Sequence, residues 1–366
     1  MRHLVLILIA IALIALPGCT TTIAESQLPQ PGTTGLYSIA RTGDSITVTG
    51  PVPTPTVTVT QTPLPAPTIT VTAEPSPTPS PTPSSGPDVP AGYTLVANQT
   101  IKNLVTNGLS NRYYYNCVFI GGSSVTAVLH FAGTTSNVIF DSCEVQAGPQ
   151  NGITINDSNG RVHDITFTGC TIRSQPRMGF ECTSRPTSAS QQYQRINLIG
   201  CRFEPQGNEA VSYDGGAAAG GSTVTRCTIE GAGANAAEPY GHGLEINGPT
   251  GMVVTGNHIW QTRGSAFNLK RSSSSDCGWA VTGNTLDSTH HVQDVPQDRL
   301  SQQIIAFNVV GGTFSGNTVI SSSPGGSVAY WSGCRDMDWR TTVFRDASGR
   351  SGYERPTQVS CSGNRL

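Results

Sequence analysis

Charge is scarce in this chain. Only 12% of its 366 residues are Asp, Glu, Lys or Arg, and they nearly cancel, leaving a net charge of -2. No basic stripe is available to neutralise phosphates, so the sequence gives no reason to expect a nucleic-acid partner. The 10 cysteines include no closely spaced pair of the zinc-binding kind. Aromatics are sparse at 7%, whereas glycine (41) and proline (25) are abundant. Low charge with much Gly, Ser, Thr and Asn fits a β-rich exported protein better than a helical cytosolic one.

The start, "MRHLVLILIAIALIALPGCTTT", has a short basic opening (Arg2, His3) and one apolar run, residues 4–16. That run is too short to span a bilayer comfortably and reads as a signal-peptide core. Leu16-Pro17-Gly18-Cys19 resembles the bacterial lipobox. The resemblance implies cleavage after residue 18, acylation of Cys19, and export to the outer face of the cell membrane with the lipid as sole anchor. Residues 19–90 follow as a Pro/Thr-rich stalk, typified by "PVPTPTVTVTQTPLPAPTITVTAEPSPTPSPTPSSGPDVP", whose composition favours extended, disordered chain. Within it, "GLYSIARTGDSITVTG" suits a small hairpin. Residues 91–366 remain as one domain, large enough to bury a core.

That domain is repetitive. "YYNCVFI", "VIFDSCEV", "ITFTGCTI", "INLIGCRF", "TVTRCTI", "VVTGNHI", "AVTGNTL" and "TFSGNTV" align on Cys117, Cys143, Cys170, Cys201, Cys227, Asn257, Asn284 and Asn317. The intervals are 26, 27, 31, 26, 30, 27 and 33 residues. Apolar residues alternate with polar ones before each marker and resume two positions after it, the pattern of a strand, a bend and a second strand. A further apolar strand follows in "GITIND", "GFECTS", "AVSYDG", "GLEING", "AFNLKR" and "VAYWSG". No repeat sustains a helical period. The expected fold is all-β, a right-handed parallel β-helix of about eight coils, with marker side chains stacked inward at ~4.8 Å. Cys182 is expected in the core, as is Trp279, and "AYWSGCRDMDWRTT" has the mixed look of an end cap.

This repeat resembles the pectate-lyase-like superfamily over roughly residues 104–319, in which "GNT" before a hydrophobic residue recurs. The resemblance implies a polysaccharide partner lying along an outward stripe. Aligning the "GLEI" strand across coils gives one outward row, Thr154, Glu181, Ser212, Glu245 and Asn268, and a second, Asn156, Thr183, Asp214, Asn247 and Lys270. Across the preceding turn, Glu209 matches His242, and Tyr240 matches Arg263. In a lyase or epimerase, Glu181, Asp214 and Glu245 are candidate Ca²⁺ ligands, and Lys270, Arg271 or Arg263 a candidate base or charge partner. His242 with Tyr240 is an alternative acid/base pair. In a glycosidase, Glu181 and Glu245 are the candidate carboxylates. "GHGLEI" also resembles the Gly-His-Gly motif of polygalacturonases, but Asn151, Asn208 and Glu209 stand where that family has catalytic aspartates. The alternative is a solvated sheet face on a non-catalytic glycan-binding or adhesin-like surface protein.

Overall fold

The computed structural model describes residues 38–42, 45–49, 57–60, 86–122, 126–156, 162–183, 193–216, 219–233, 241–271, 275–287, 303–321, 329–346 and 357–365. The chain divides into two compact units, Met1–Ser84 and Ser85–Leu366. In the first, Ser38–Thr42 and Ser45–Thr49 form the expected antiparallel hairpin, and Val57–Thr60 adds a third strand. The signal segment and Cys19 lie outside the described residues, as does most of the stalk.

The second unit is a parallel β-solenoid. Its strands form three sheets of eight, ten and ten strands, each strand pairing with its counterparts on neighbouring coils. No described residue of this unit is helical. The solenoid begins earlier than the repeat suggested, with a coil built from Thr94–Ala97, Thr100–Lys102 and Leu104–Thr106. It also runs on through "AYWSGCRDMDWRTT". Ala329–Ser332 in that segment is a regular strand of the third sheet, so an end cap there is not what forms.

Period-2 alternation sends one side chain in two to the core, where parallel register stacks like on like. Tyr114, Phe140 and Phe167 pile up with centroids 5.0 and 4.6 Å apart and rings within 9° of parallel. Cys182 and Trp279 are buried as expected. The bend between first and second sheets places a left-handed residue just before the marker: Gly169, Gly200, Gly256, Gly283 and Gly316 supply it, with Asn116, Ser142 and Arg226 substituting.

The marker itself ties coils together. The Cys170, Cys201 and Cys227 thiols donate to the carbonyls of Phe140, Phe167 and Leu198 on the preceding coil, at 3.4, 3.4 and 3.5 Å. No disulfide joins any of the described cysteines. Asparagine makes the same bond and adds an acceptor. Asn284 Nδ2 donates to Val254 O (2.9 Å), while its Oδ1 accepts from Asn257 N (3.0 Å) and Asn257 Nδ2 (2.9 Å). Replacing Asn284 by Ala strands these buried partners and is expected to cost about 3 kcal/mol in urea unfolding. Asn284→Cys, which restores one bond, is expected to lose less; equal losses would mean that the ladder stabilises by filling space alone.

Candidate functional site

The outer face of the third sheet carries both expected rows. Register pairs Thr154 with Glu181, Glu181 with Ser212, Ser212 with Glu245 and Glu245 with Asn268. Two residues along, Asn156, Thr183, Asp214, Asn247 and Lys270 pair in the same order. Glu181 and Glu245 are therefore two coils apart, about 9.6 Å between backbones at ~4.8 Å per coil.

The turn leading into this sheet adds a third column. Gly152 N donates to Met178 O, Gly179 N to Glu209 O, Ala210 N to His242 O and Gly243 N to Ser265 O. These bonds place Asn151, Met178, Glu209, His242 and Ser265 at equivalent points on successive coils. Asn151 shows where the column points: its Nδ2 donates to Thr154 Oγ1 at 3.1 Å and to Glu181 Oε2, one coil on, at 2.7 Å. Two coils later Glu209 takes the place of Asn151, and Glu245 that of Glu181. The repeat thus sets Glu209 diagonally from Glu245, near enough for the Glu245 charge to act on it, while the Glu209 carboxyl accepts from its own amide.

These two acids have different surroundings. Glu209 is 8% exposed, and its Oε2 has no hydrogen-bond partner among the described residues. Burial, reinforced by the charge of Glu245, pushes its pKa up to about 7 against the pull of its own amide, Lys270 and Arg177. Glu245 Oε2 accepts from Asn268 Nδ2 at 2.7 Å and from Lys270 Nζ at 3.4 Å, an ion pair. One carboxyl keeps its proton close to neutral pH beside another that is solvated by donors, which is the division of labour acid-base chemistry requires.

His242 sits one coil from Glu209 and is 5% exposed. Its Nδ1 accepts from the Ser265 backbone N at 3.1 Å and lies 2.9 Å from Ser265 Oγ. An amide can only donate, so Nδ1 carries no proton. Burial, helped by the charge of Lys270, pulls the pKa down to about 3, so the ring is neutral at pH 7 and its proton is on Nε2. With Nδ1 occupied, His242 offers a fixed donor and not a free base. The flanking glycines are steric necessities: a Cβ on Gly241 would lie 2.0 Å from Gly233 Cα, and one on Gly243 would lie 2.5 Å from Ile259 Cγ2. Gly-His-Gly here is a close-packed turn that presents His242.

The remaining candidates are dispersed. Glu181 Oε2 is taken by Asn151 and, at 3.5 Å, by the Thr154 hydroxyl. Asp214 is exposed at the end of its strand. Arg263 and Arg271 are buried, and Arg271 Nη2 donates to Ser275 Oγ at 3.1 Å. Tyr240 lies outside the described residues. Among the described residues no group of three or more His, Cys, Asp or Glu side chains is placed to hold a metal ion, so Glu181, Asp214 and Glu245 do not gather into a Ca²⁺ cage. Ser265 enters the site as a partner that sequence reasoning did not single out, while Asn151 and Asn268, already placed by the alignment, gain contacts it did not assign them. Their signal was the recurring three-residue offset, Asn151 to Thr154 and Glu209 to Ser212.

No protein-family model matches the chain, and no curated protein matches it. The geometry of the site is what bears on its chemistry.

Proposed function

We propose that this is an exported surface protein, held to the membrane by a lipid on Cys19, whose third-sheet groove binds a polysaccharide and hydrolyses it. The observation that supports this reading is the Glu209–Glu245 pair, in which one carboxyl has a pKa of about 7. Glu209 gives its proton to the glycosidic oxygen as the C–O bond breaks. The Glu245 carboxylate either attacks the anomeric carbon or takes a proton from the water that does. One water is consumed per bond broken. Asn268 and Lys270 orient Glu245, and the Nε2–H of His242 is left to hold a substrate oxygen.

Lyase or epimerase chemistry is the weaker reading. It asks for a cation at a uronate carboxylate and a free base beside C5, while Glu181, Asp214 and Glu245 are spread over separate coils and His242 Nδ1 is engaged. A non-catalytic glycan-binding role is the second reading, favoured by the way Asn151 and Thr154 already engage Glu181.

The test uses intact cells expressing the chain or its Cys19→Ser variant, fed a panel of neutral and acidic polysaccharides. New reducing ends without an ultraviolet-absorbing unsaturated product are expected, cell-bound for the wild type and in the medium for Cys19→Ser. Unsaturated product would replace hydrolysis by elimination, and retention of a glycan without either product would leave only binding.

A further inference from the structure

The outer rows of the third sheet do not end at Asn268 and Lys270. Ile304–Phe307 pairs with Phe267–Lys270, setting Ile305 beside Asn268 and Phe307 beside Lys270. Ala329–Ser332 then sets Tyr330 beside Ile305 and Ser332 beside Phe307. Within one coil the face changes from carboxylates and amides to rings. Phe307 is 37% exposed, whereas Ala306 and Trp331 on the opposite face of these strands are fully buried. Its exposure is therefore set by register and is not a slipped core residue. The Phe307 and Tyr330 ring centroids lie 5.9 Å apart with planes at 59°.

An exposed ring on a rigid sheet forgoes burial unless something stacks on it. A pyranose offers apolar C–H faces rimmed by hydroxyls, so it needs a ring below and polar atoms at the side. Asn268, 2% exposed, has an Oδ1 with no hydrogen-bond partner among the described residues next to this surface, and Ser332 lies on its far side. Two tilted rings on adjacent coils suit two successive sugars, whose faces turn relative to each other along a glycan.

We propose that Phe307 and Tyr330 are the stacking platform for sugars two and three coils beyond Glu245, about 10 and 14 Å along the sheet at ~4.8 Å per coil, and that the substrate is a neutral pyranoside polymer. The position of the cleaved bond rests on the hydrolytic reading above; the platform as a binding site does not. Neutrality follows from charge. Ile305, Phe307, Tyr330 and Ser332 carry none, and the coils before them present Glu181, Asp214 and Glu245. Lys270, between the two halves, is engaged by Glu245. A polyuronate laid along this line would set its carboxylates against three protein carboxylates, with Lys270 paired to Glu245, Arg177 acting back at Glu209, and no cation among the platform residues.

The experiment measures binding of the full chain to neutral gluco-, manno- and galacto-hexasaccharides, their disaccharides, and hexagalacturonate, by calorimetry and on a glycan array, alongside reducing-end release. A neutral hexasaccharide is expected to bind, to lose about tenfold in affinity with Phe307→Ala or Tyr330→Ala, and to regain it with Phe307→Trp; disaccharide binding is expected to be weak and unaffected. Hexagalacturonate as the preferred ligand, or unchanged affinity in both alanine variants, overturns the proposal even if hydrolysis is observed. Platform-dependent binding without product overturns hydrolysis and leaves the platform standing. Absence of binding to any glycan overturns both.

Discussion

If the chain hydrolyses a glycan as proposed, Glu209→Gln is expected to lower kcat by about 10²–10⁴ and at the same time to make the protein more stable above neutral pH. The two effects share one cause, a carboxyl buried without a partner for Oε2 among the described residues. Its pKa rises from 4.5 to about 7 on folding. Below 4.5 both folded and unfolded chains hold the proton and the group contributes nothing. Between 4.5 and about 7 the native state binds more protons than the unfolded state, so stability falls as pH rises through that window. Above it, the folded protein carries a buried carboxylate at a cost of roughly 3 kcal/mol. Glutamine has the same shape and no charge. The variant should match the wild type at pH 4, exceed it by roughly 3 kcal/mol at pH 8, and lack the fall in activity near neutrality that ionisation of an acid catalyst produces. Urea unfolding at both pH values, with turnover on the same samples, reads all three. A stability difference that does not change with pH means Glu209 is not an acid poised near neutrality, and retained turnover removes it as the proton donor.

The two outer rows were legible in the sequence because they demand only period-2 alternation and a marker that fixes register. What crosses a turn was not. Glu209 and His242 could be matched to one another from their equal distance before "AVSYDG" and "GLEING", yet the diagonal relation of Glu209 to Glu245 becomes evident only from the contact that Asn151 makes to Glu181 two coils earlier. Ile304–Phe307 escaped notice for a different reason. It lies inside the 33-residue interval between Asn284 and Asn317, the longest of the series, where the extra residues hide the repeat. Phe307 went with it, and Tyr330, although its strand "VAYWSG" was recognised, lost the neighbour that makes it half of an outward pair. Burial of His242 and Glu209 was likewise unreadable: both come from a turn, where no periodicity assigns a side to each residue.

His242→Asn should uncover a slope that the wild-type protein conceals. His242 is depressed from 6.5 to about 3 on folding, so the unfolded chain takes up a proton first as pH falls. Its contribution is complete above 6.5 and is lost progressively toward 3, amounting to roughly 3 kcal/mol by pH 4. Glu209 acts in the opposite sense between 4.5 and about 7. Where the windows overlap, from 4.5 to 6.5, the two slopes cancel and their sum is flat. Removing either residue breaks the balance. His242→Asn leaves Glu209 alone, so stability relative to wild type should drop as pH rises across the overlap, with the variant less stable at pH 7 through lost packing and more stable at pH 4. Glu209→Gln should tilt the other way. The comparison is between variants at each pH, which subtracts groups titrating elsewhere, and urea midpoints from pH 4 to 8 are sufficient to draw it. Should the His242→Asn curve run parallel to the wild type across this range, the imidazole titrates alike in folded and unfolded protein; below its ordinary pKa of 6.5 Nδ1 then carries a proton and cannot accept from the Ser265 amide, and the proposed Nε2–H donor fixed by that bond has to be given up.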